Sequence, residues 1–188
     1  MEGRLKQSLK SYLFLGGFAG TIVLIDQFTK AMVRAYIPLN GYWPHWDWLS
    51  PYARFFRTQN TGVAFGMLQG SNVIFAVLAV IVSAAIIYYY PRIAKEDWTL
   101  RVALSMHLAG AVGNLIDRVM FGHVTDFISV GNFAIFNVAD SSITVGVVIL
   151  ILGVWLQERN NNKNKILSAV EPFPANDETT THSGEANQ

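Results

Sequence analysis

The sequence predicts an all-α membrane protein with four transmembrane helices and a small extracytoplasmic β platform in the first outer loop. Of its 188 residues, 52% are hydrophobic and only 14% are charged, whereas a soluble domain carries about 25% charged residues. The mean hydropathy is positive, at +0.31. Four separate apolar stretches each approach the roughly 20 helical residues that cross a bilayer.

The first span follows a basic N-terminal segment, as the apolar part of a signal peptide does. No small-residue cleavage site follows it, so a retained helix is expected. The four predicted spans cover about residues 11–33, 72–90, 100–120 and 139–156. Residues 1–156 are therefore expected to form one membrane domain. The polar residues 157–188 are expected to form a disordered cytoplasmic tail.

Lysine and arginine predict the orientation, because they are enriched in cytoplasmic loops. The N-terminal segment, the loop after the second span and the tail hold three each, which makes nine, and the remaining segments hold five. Both termini should therefore be cytoplasmic, and the loops at about 34–70 and 121–138 should face outward. The first of these loops contains Trp43, Trp46 and Trp48, followed by β-type residues. Tryptophan favours the headgroup layer, so a small platform on the membrane is predicted there.

Composition also excludes several classes of function. Cysteine is absent, which excludes disulfides, thiolate metal sites and a cysteine nucleophile. The net charge is only +1, and no basic block is interleaved with aromatic residues, so no nucleic-acid partner is expected. No metal or other cofactor is expected either.

The third span carries a small and polar helical face. Gly110, Gly113, Asn114 and Asp117 follow the spacing i, i+3, i+4 and i+7, and in lipid such a face must point into protein or water. Close helix packing is the simplest role for the two glycines. For Asn114 and Asp117, structural and functional roles remain equally open. His107 lies deeper on the same side, where a hydrogen bond to a neighbouring helix is the simplest interpretation.

Two carboxylates flank the outer end of the last span. Taken singly, Asp126 is a loop residue and Asp140 an N-cap of the fourth helix. Taken together, they suggest chemistry, because two close carboxylates cannot both ionise easily. One then remains a base while the other donates a proton. Such a pair activates water against an amide without a metal or a covalent nucleophile.

Three further polar residues have simple structural interpretations. Asp26 and Lys30 are spaced i, i+4 near the outer end of the first span. The simplest interpretation is an interfacial ion pair whose long lysine side chain snorkels to the surface. Asn60 stands two residues before a glycine and is typical of a turn.

Five short blocks then resemble those of one family, lipoprotein signal peptidase, also called signal peptidase II. These blocks are DQFTK at 26–30, NTGVAFG at 60–66, GNLIDRV at 113–119, GHVTDF at 122–127 and FNVADSSITVG at 136–146. Each block alone is weak. Their order on four spans, over about residues 12–156, makes the resemblance specific.

The resemblance implies a bacterial aspartyl endopeptidase of the cytoplasmic (inner) membrane with its site at the outer face. It implies a catalytic dyad at Asp126 and Asp140. It places the supporting polar residues at Asp26, Lys30, Asn60, Asn114, Asp117, Arg118 and Asn137. The implied partners are membrane lipid and a prolipoprotein whose lipobox cysteine bears a diacylglyceryl group. Cleavage just before that cysteine would release the signal peptide, and a monomer is expected.

A small proton-coupled transporter is the alternative, with Asp117, Asp126, Asp140 and His107 as a proton relay. Transporters commonly show internal repeats and acidic groups near the membrane midplane. This sequence shows no repeat, and its carboxylates are predicted to cluster at one face. A purely structural scaffold would leave that polar cluster unexplained.

Overall fold

Four long helices and two strands make up the computed structural model, which describes residues 2–43, 52–62, 68 and 70–170. In chain order they are α1 (Glu2–Tyr36), β1 (Ala53–Asn60), α2 (Asn72–Tyr89), α3 (Trp98–Phe121), β2 (Val124–Val130) and α4 (Val138–Val170). The chain up to Gly153 forms one compact unit. The site described below belongs entirely to this unit.

The four helices of the described chain are each long and apolar enough to cross a membrane. Their outward surfaces carry large apolar side chains, such as Val73 and Ile81 on α2 and Ile151 on α4, that are more than half exposed. Hydrocarbon would solvate this surface, and the helices satisfy their own backbone hydrogen bonds as a lipid environment requires. The predicted set of four spanning helices is therefore confirmed.

The helix ends follow from local sequence. Pro38 lies two residues after the end of α1, and Pro91 lies in the short 3-10 turn that follows α2. Proline disfavours a helical residue before it. After α3, Gly122 adopts a positive φ of 74° and its N–H donates to the Arg118 carbonyl at 3.1 Å. This left-handed cap turns the chain directly into β2.

The two strands form an antiparallel sheet that joins two different loops. Asn60 of β1 lies opposite Val124 of β2, and Thr58 lies opposite Asp126. The predicted sheet is present, but only one of its strands comes from the first loop. An isolated hairpin is marginal in water, and pairing with β2, five of whose seven residues are buried, gives the strand a packed partner. Trp46 and Trp48 lie outside the described residues.

Two apolar clusters hold this arrangement together. The first packs Leu15 of α1 and Ile86 of α2 against Leu108 of α3. The second packs Val33 of α1 against Phe127 of β2, and so attaches the sheet to the end of α1. The polar residues of α1 and α3 lie next to this second cluster.

The last helix is longer than the sequence suggested. It was expected to end near residue 156, whereas α4 continues to Val170. Residues 157–170 include many polar side chains but no glycine or proline, and extending an existing helix costs little compared with starting one. The first proline after it is Pro172. Residues 171–188 lie outside the described part of the chain.

Candidate active site

Asp126 and Asp140 line one cavity of about 550 Å³, where β2, α3 and α4 meet. Asp126 is the third residue of β2, and Asp140 lies in the first turn of α4. Only 2% of Asp126 is exposed. The two carboxylates that the sequence placed at one end of the helices therefore share a single cavity.

Asn137 connects the two carboxylates. Its Nδ2 donates to Asp126 Oδ1 at 2.7 Å, and its backbone N–H donates to Asp140 Oδ2 at 3.2 Å. Its Oδ1 in turn accepts the backbone N–H of Asp140 at 3.0 Å. This exchange is the reciprocal pattern of a capping box. Asn137 is therefore the N-cap of α4, and the interpretation of Asp140 as the N-cap is wrong.

Two further asparagines hold the remaining carboxylate oxygens. Asn60, the last residue of β1, donates to Asp126 Oδ2 at 3.0 Å. Asn114 of α3 donates to Asp140 Oδ1 at 2.8 Å. The turn role of Asn60 is present as well, because its Oδ1 accepts the Gly62 N–H at 2.9 Å. Each aspartate thus accepts one hydrogen bond at each of its two oxygens.

Lys30 fixes the orientation of the Asn114 amide. Its Nζ donates to Asn114 Oδ1 at 2.9 Å. Because a lysine ammonium has donors only, the amide oxygen must face it and the amide nitrogen must face Asp140. The same oxygen also accepts Asn137 Nδ2 at 3.1 Å.

A buried charge network surrounds Lys30. Its Nζ lies 2.9 Å from Asp26 Oδ2 and 3.6 Å from Asp117 Oδ2. Asp26 Oδ1 accepts the Ala139 N–H at 2.9 Å, and Asp117 Oδ2 accepts the Thr125 N–H at 2.8 Å. Each carboxylate thus binds the backbone next to one dyad residue. The network ties α1 and α3 to both segments that carry the dyad.

Comparisons with a family model and with curated proteins both indicate signal peptidase II. Residues 18–156 match the family described as "Signal peptidase (SPase) II". The lipoprotein signal peptidase of Halalkalibacterium halodurans is 40% identical over 151 residues, which cover 77% of this chain and 93% of that protein. That of Shouchella clausii is 39% identical over 144 residues, which cover 76% of this chain and 93% of that protein. A solved structure described as a bacterial membrane enzyme has a TM-score of 0.70 at 32% identity, covering 80% of this chain and 90% of that one.

The chain belongs to the signal peptidase II family. As a family member it is a peptidase of the aspartic type, and its four apolar helices make it a multi-pass bacterial membrane protein.

In this signal peptidase II, the interpretation of Lys30 as a snorkelling residue is wrong. Lys30 and Asp26 are both fully buried. The reason is that α3 supplies Asp117 and Asn114 as further partners, and these contacts offset the cost of burying the ammonium.

Sequence reasoning missed two members of the network. Gln27 donates to Asp26 Oδ2 at 3.0 Å and to the Gly113 carbonyl at 2.9 Å. Arg34 Nη1 lies 3.4 Å from Asp117 Oδ1 and donates to Thr125 Oγ1 at 3.1 Å. Both residues could have been predicted from the sequence. Gln27 belongs to the first family block, and Arg34 follows Lys30 at i+4, on the same face of the helix.

The glycines of α3 allow the close helix contacts that the sequence predicted. A Cβ added at Gly110 would lie 2.5 Å from the Ala139 carbonyl oxygen, and one at Gly113 would lie 2.7 Å from Asp26 Oδ2. The expectation for His107 is wrong, since its Nδ1 contacts the carbonyl of Ala103 on its own helix at 2.6 Å. The ring instead fits against Gly146 of α4.

Arg118 lines the dyad cavity beside Asn114 and Asp140. One of its terminal nitrogens lies 3.5 Å from the Gly62 carbonyl, and its guanidinium carbon lies 5.5 Å from the ring centroid of Phe75. Its Nε is buried and has no hydrogen-bond partner among the described residues.

Burial, and after it the nearby Asp140 carboxylate, raise the pKa of Asp126 to about 7. The hydrogen bonds from Asn60 and Asn137, and the charge of Lys30, act in the opposite direction. The Asp126 carboxyl is therefore close to half protonated near neutral pH. A pair of carboxyls that shares a proton at neutral pH is suited to general acid–base catalysis.

This raised pKa predicts a pH-dependent cost to stability. The unfolded carboxyl has a pKa of about 3.9, so the folded state binds more protons between about pH 4 and pH 7. The contribution of Asp126 to stability is then fully present below about pH 4 and is lost as the pH rises to about 7. Asp126→Asn should therefore raise the thermal midpoint in detergent more at about pH 8 than at about pH 4.

The control for this measurement is Glu96→Gln, which neutralises an exposed carboxylate. Its midpoint should differ little from that of the unmodified protein at either pH. An equal effect of Asp126→Asn at both pH values would show that the folded protein does not hold the proton on this carboxyl.

Proposed function

We propose that the chain is an endopeptidase that removes the signal peptide from diacylglyceryl-modified prolipoproteins. It cuts just before the lipidated cysteine, and the pair Asp126 and Asp140 activates a water molecule. The observation that carries this proposal is the position of Asn137. Its side-chain and backbone nitrogens hold one oxygen of each carboxylate at the wall of one cavity.

Hydrolysis requires one proton to be shared by the dyad. The ionised carboxylate removes a proton from water while the protonated carboxyl donates a hydrogen bond to the scissile carbonyl. The hydroxide adds to the carbonyl carbon and gives a tetrahedral intermediate. This intermediate collapses as the C–N bond breaks and a proton passes to the leaving amine. Because the pair titrates as a unit, both assignments of acid and base fit this sequence of steps.

The cavity also fits a substrate that is held in a membrane. Beside the polar residues, its lining includes the large apolar side chains of Phe133, Phe136, Ile143 and Val145. A signal peptide crosses the bilayer as a helix, so its scissile bond lies near an interface. The dyad lies in β2 and in the first turn of α4, at the end of a membrane span, which is the corresponding depth.

The proposed location is the bacterial cytoplasmic membrane, with both termini and the tail in the cytoplasm and the dyad at the outer face. The nine-to-five distribution of lysine and arginine supports this orientation. The proposed functional form is a monomer.

The test of function is cleavage by purified protein in lipid nanodiscs. The substrate is a prolipoprotein carrying a diacylglyceryl cysteine, and the control is the same precursor without the lipid. Mass spectrometry should find a new N-terminus at the lipidated cysteine, formed much faster from the lipidated precursor. Cleavage elsewhere, or no cleavage of the lipidated precursor, would refute the proposal.

The orientation makes a separate prediction. Reporters fused after Glu96 should indicate a cytoplasmic position, and reporters fused after Gly131 should indicate an outer position. The reason is that the charge distribution predicts these two loops on opposite sides of the membrane. Alkaline phosphatase and a fluorescent protein that fails to fold outside the cytoplasm give opposite readouts at each position. A cytoplasmic signal after Gly131 would contradict the proposed orientation.

A further inference from the structure

A β-bulge in β1 determines which residues of this strand reach the dyad. Phe55 pairs with Ile128 and Thr58 pairs with Asp126, so positions 56 and 57 lie opposite a single residue of β2. Residues that pair directly share one face of a sheet, and so do residues two apart on one strand. Asn60 therefore lies on the same face as Asp126, which allows its hydrogen bond of 3.0 Å to that carboxylate.

Without the bulge, the Asn60 amide would lie on the wrong face of the sheet. A continuous ladder from Phe55 would place Arg57 opposite Asp126. Asn60, three residues after Arg57, would then turn to the opposite face. Bulges near active sites commonly redirect a side chain in this way. The contact of Asn60 with the dyad therefore depends on what holds the bulge in place.

Arg57, the second residue of the bulge, binds the end of α1. Its Nη1 donates to the carbonyls of Arg34 at 3.1 Å and Ile37 at 3.0 Å. In a continuing helix the Arg34 carbonyl would accept the N–H of the residue four positions on, but that residue is Pro38, which has no N–H. A guanidinium is also favourable beside the partial negative charge of a helix C-terminus. The Arg57 side chain therefore caps α1.

The backbone of Arg57 is fixed by the segment that follows α1. Its N–H donates to the Gly41 carbonyl, and its own carbonyl accepts the Asn40 N–H, both at 2.9 Å. The last turn of α1 also holds β2, because the Arg34 side chain donates to Thr125 Oγ1 at 3.1 Å. Both strands of the sheet are therefore attached to the same turn of α1.

We propose that Arg57 is a positioning residue for the dyad. By binding the end of α1 it holds the bulge of β1, and so keeps Asn60 against Asp126. This inference rests on the proposed function of the dyad. Arg57 is not among the described residues that line the dyad cavity, so it acts through Asn60 and not on the substrate.

Loss of this support should change the titration of Asp126. Burial and the Asp140 carboxylate raise the pKa of Asp126, and the hydrogen bond from Asn60 opposes them. If Asn60 moves away, the pKa of Asp126 rises, and the carboxyl keeps its proton to a higher pH. The descending limb of the pH–rate profile, where the dyad loses its last proton, should then move to higher pH.

The test compares three substitutions on β1. Arg57→Met removes the donors and keeps most of the side-chain length. Arg57→Lys restores a cation that can donate to both carbonyls from one nitrogen, without the buried Nε that has no partner among the described residues. Arg54→Met makes the first change at an exposed position of the same strand and is the matched control. Single-turnover cleavage of a lipidated prolipoprotein in nanodiscs is measured as a function of pH, alongside thermal stability.

Arg57→Met should move the descending limb upward by about half a pH unit or more. It should also lower the maximum rate by roughly tenfold, as expected when a group beside the reacting atoms is displaced. Arg57→Lys should restore most of both properties, and Arg54→Met should change neither. Asn60→Ala should shift the limb by itself, and Arg57→Met should add no further shift in that background, because both act through one contact.

Two outcomes would overturn the inference and leave the proposed function intact. Lower thermal stability with an unchanged pH–rate profile would mean that Arg57 supports the fold alone. Shifts that add for Arg57→Met and Asn60→Ala would mean that Arg57 does not act through Asn60. If Arg57→Met does not fold, Arg57→Gln takes its place, because its side chain is too short to reach both carbonyls.

If the unmodified enzyme cleaves no lipidated precursor, the proposed function itself has failed. The contact between Asn60 and Asp126 can then still be followed by stability. The gain in thermal midpoint from Asp126→Asn at about pH 8 should be larger in the Arg57→Met background than in the unmodified protein, because a higher folded pKa extends the pH range over which stability is lost. An equal gain in both backgrounds would overturn the role of Arg57.

Discussion

Asp126→Asn and Asp140→Asn should each reduce single-turnover cleavage of a lipidated prolipoprotein by at least about 10²-fold while leaving the protein folded. General acid–base groups typically contribute about 10²- to 10⁴-fold, and an amide can neither accept the proton from water nor pass it on. The asparagine side chains are nearly isosteric. The amide oxygen can keep one of the two hydrogen bonds that each carboxylate accepts, and the amide nitrogen then lies opposite the second donor. The double variant should lose little more than either single variant, because the two groups act as one unit.

Asp26→Asn is the matched control for the dyad variants. It replaces a buried aspartate of the same network with the same amide, and it leaves the Ala139 N–H an acceptor. Its effect should fall mainly on thermal stability, with a milder loss of rate per folded molecule. If either dyad variant keeps more than about a tenth of the unmodified rate, that aspartate does not perform acid–base catalysis.

Lys30→Met should lower the free energy of unfolding by about 3–5 kcal/mol, because it leaves buried carboxylates without their main partner. Asp26 would keep no ion pair among the described residues, and Asp117 would keep only its 3.4 Å contact with Arg34. The rate per folded molecule should also fall, since only the hydrogen bond from Asn137 Nδ2 would then hold the amide oxygen of Asn114 away from Asp140. Thermal or denaturant unfolding in detergent measures the first effect, and single-turnover cleavage measures the second.

Arg34→Met provides the comparison for Lys30→Met. Arg34 contacts the same Asp117, but its side chain is 19% exposed, and Lys30 would remain as a partner of Asp117, so the loss of stability should be smaller than for Lys30→Met. The double variant Asp26→Asn with Lys30→Met should be more stable than the sum of the two single effects predicts, because the pair is removed together. Equal losses for Lys30→Met and Arg34→Met would contradict a central role for the buried ammonium.

The sequence predicted the proximity of Asp126 and Asp140 better than it predicted the residues that hold them in place. Asp126 and Asp140 flank one end of a single span, so membrane topology alone places them at the same face, and the family blocks single out the same pair. The burial of Lys30 was not predictable in this way. An i, i+4 pair has the same pattern whether it reaches the surface or lies inside. Asn114, whose side chain accepts a hydrogen bond from Lys30 inside the bundle, is 84 positions away in the chain.

The pairing of β1 with β2 could not be predicted from the sequence for a similar reason. Strand propensity is visible within one loop, but pairing depends on which loops the helices bring together. The length of α4 was hidden by composition, because a polar run without glycine or proline fits both a disordered tail and a continued helix. For Lys30, β1 and α4 alike, the local sequence pattern fitted two different structures. A distant or neighbouring element of the fold determined which of the two forms.

The arrangement of charges on α1 also affects how the protein is synthesised. Asp26 and Lys30 neutralise each other within α1, at 2.9 Å, so this helix can enter the bilayer as it leaves the ribosome. Asp117 has both of its cationic partners, Lys30 and Arg34, on α1, so α3 is best accommodated once α1 is already in place. The first turn of α4, with Asp140, is translated last of all the site segments. On the proposed mechanism, the nascent chain therefore lacks one of its two carboxylates until its final span has been made.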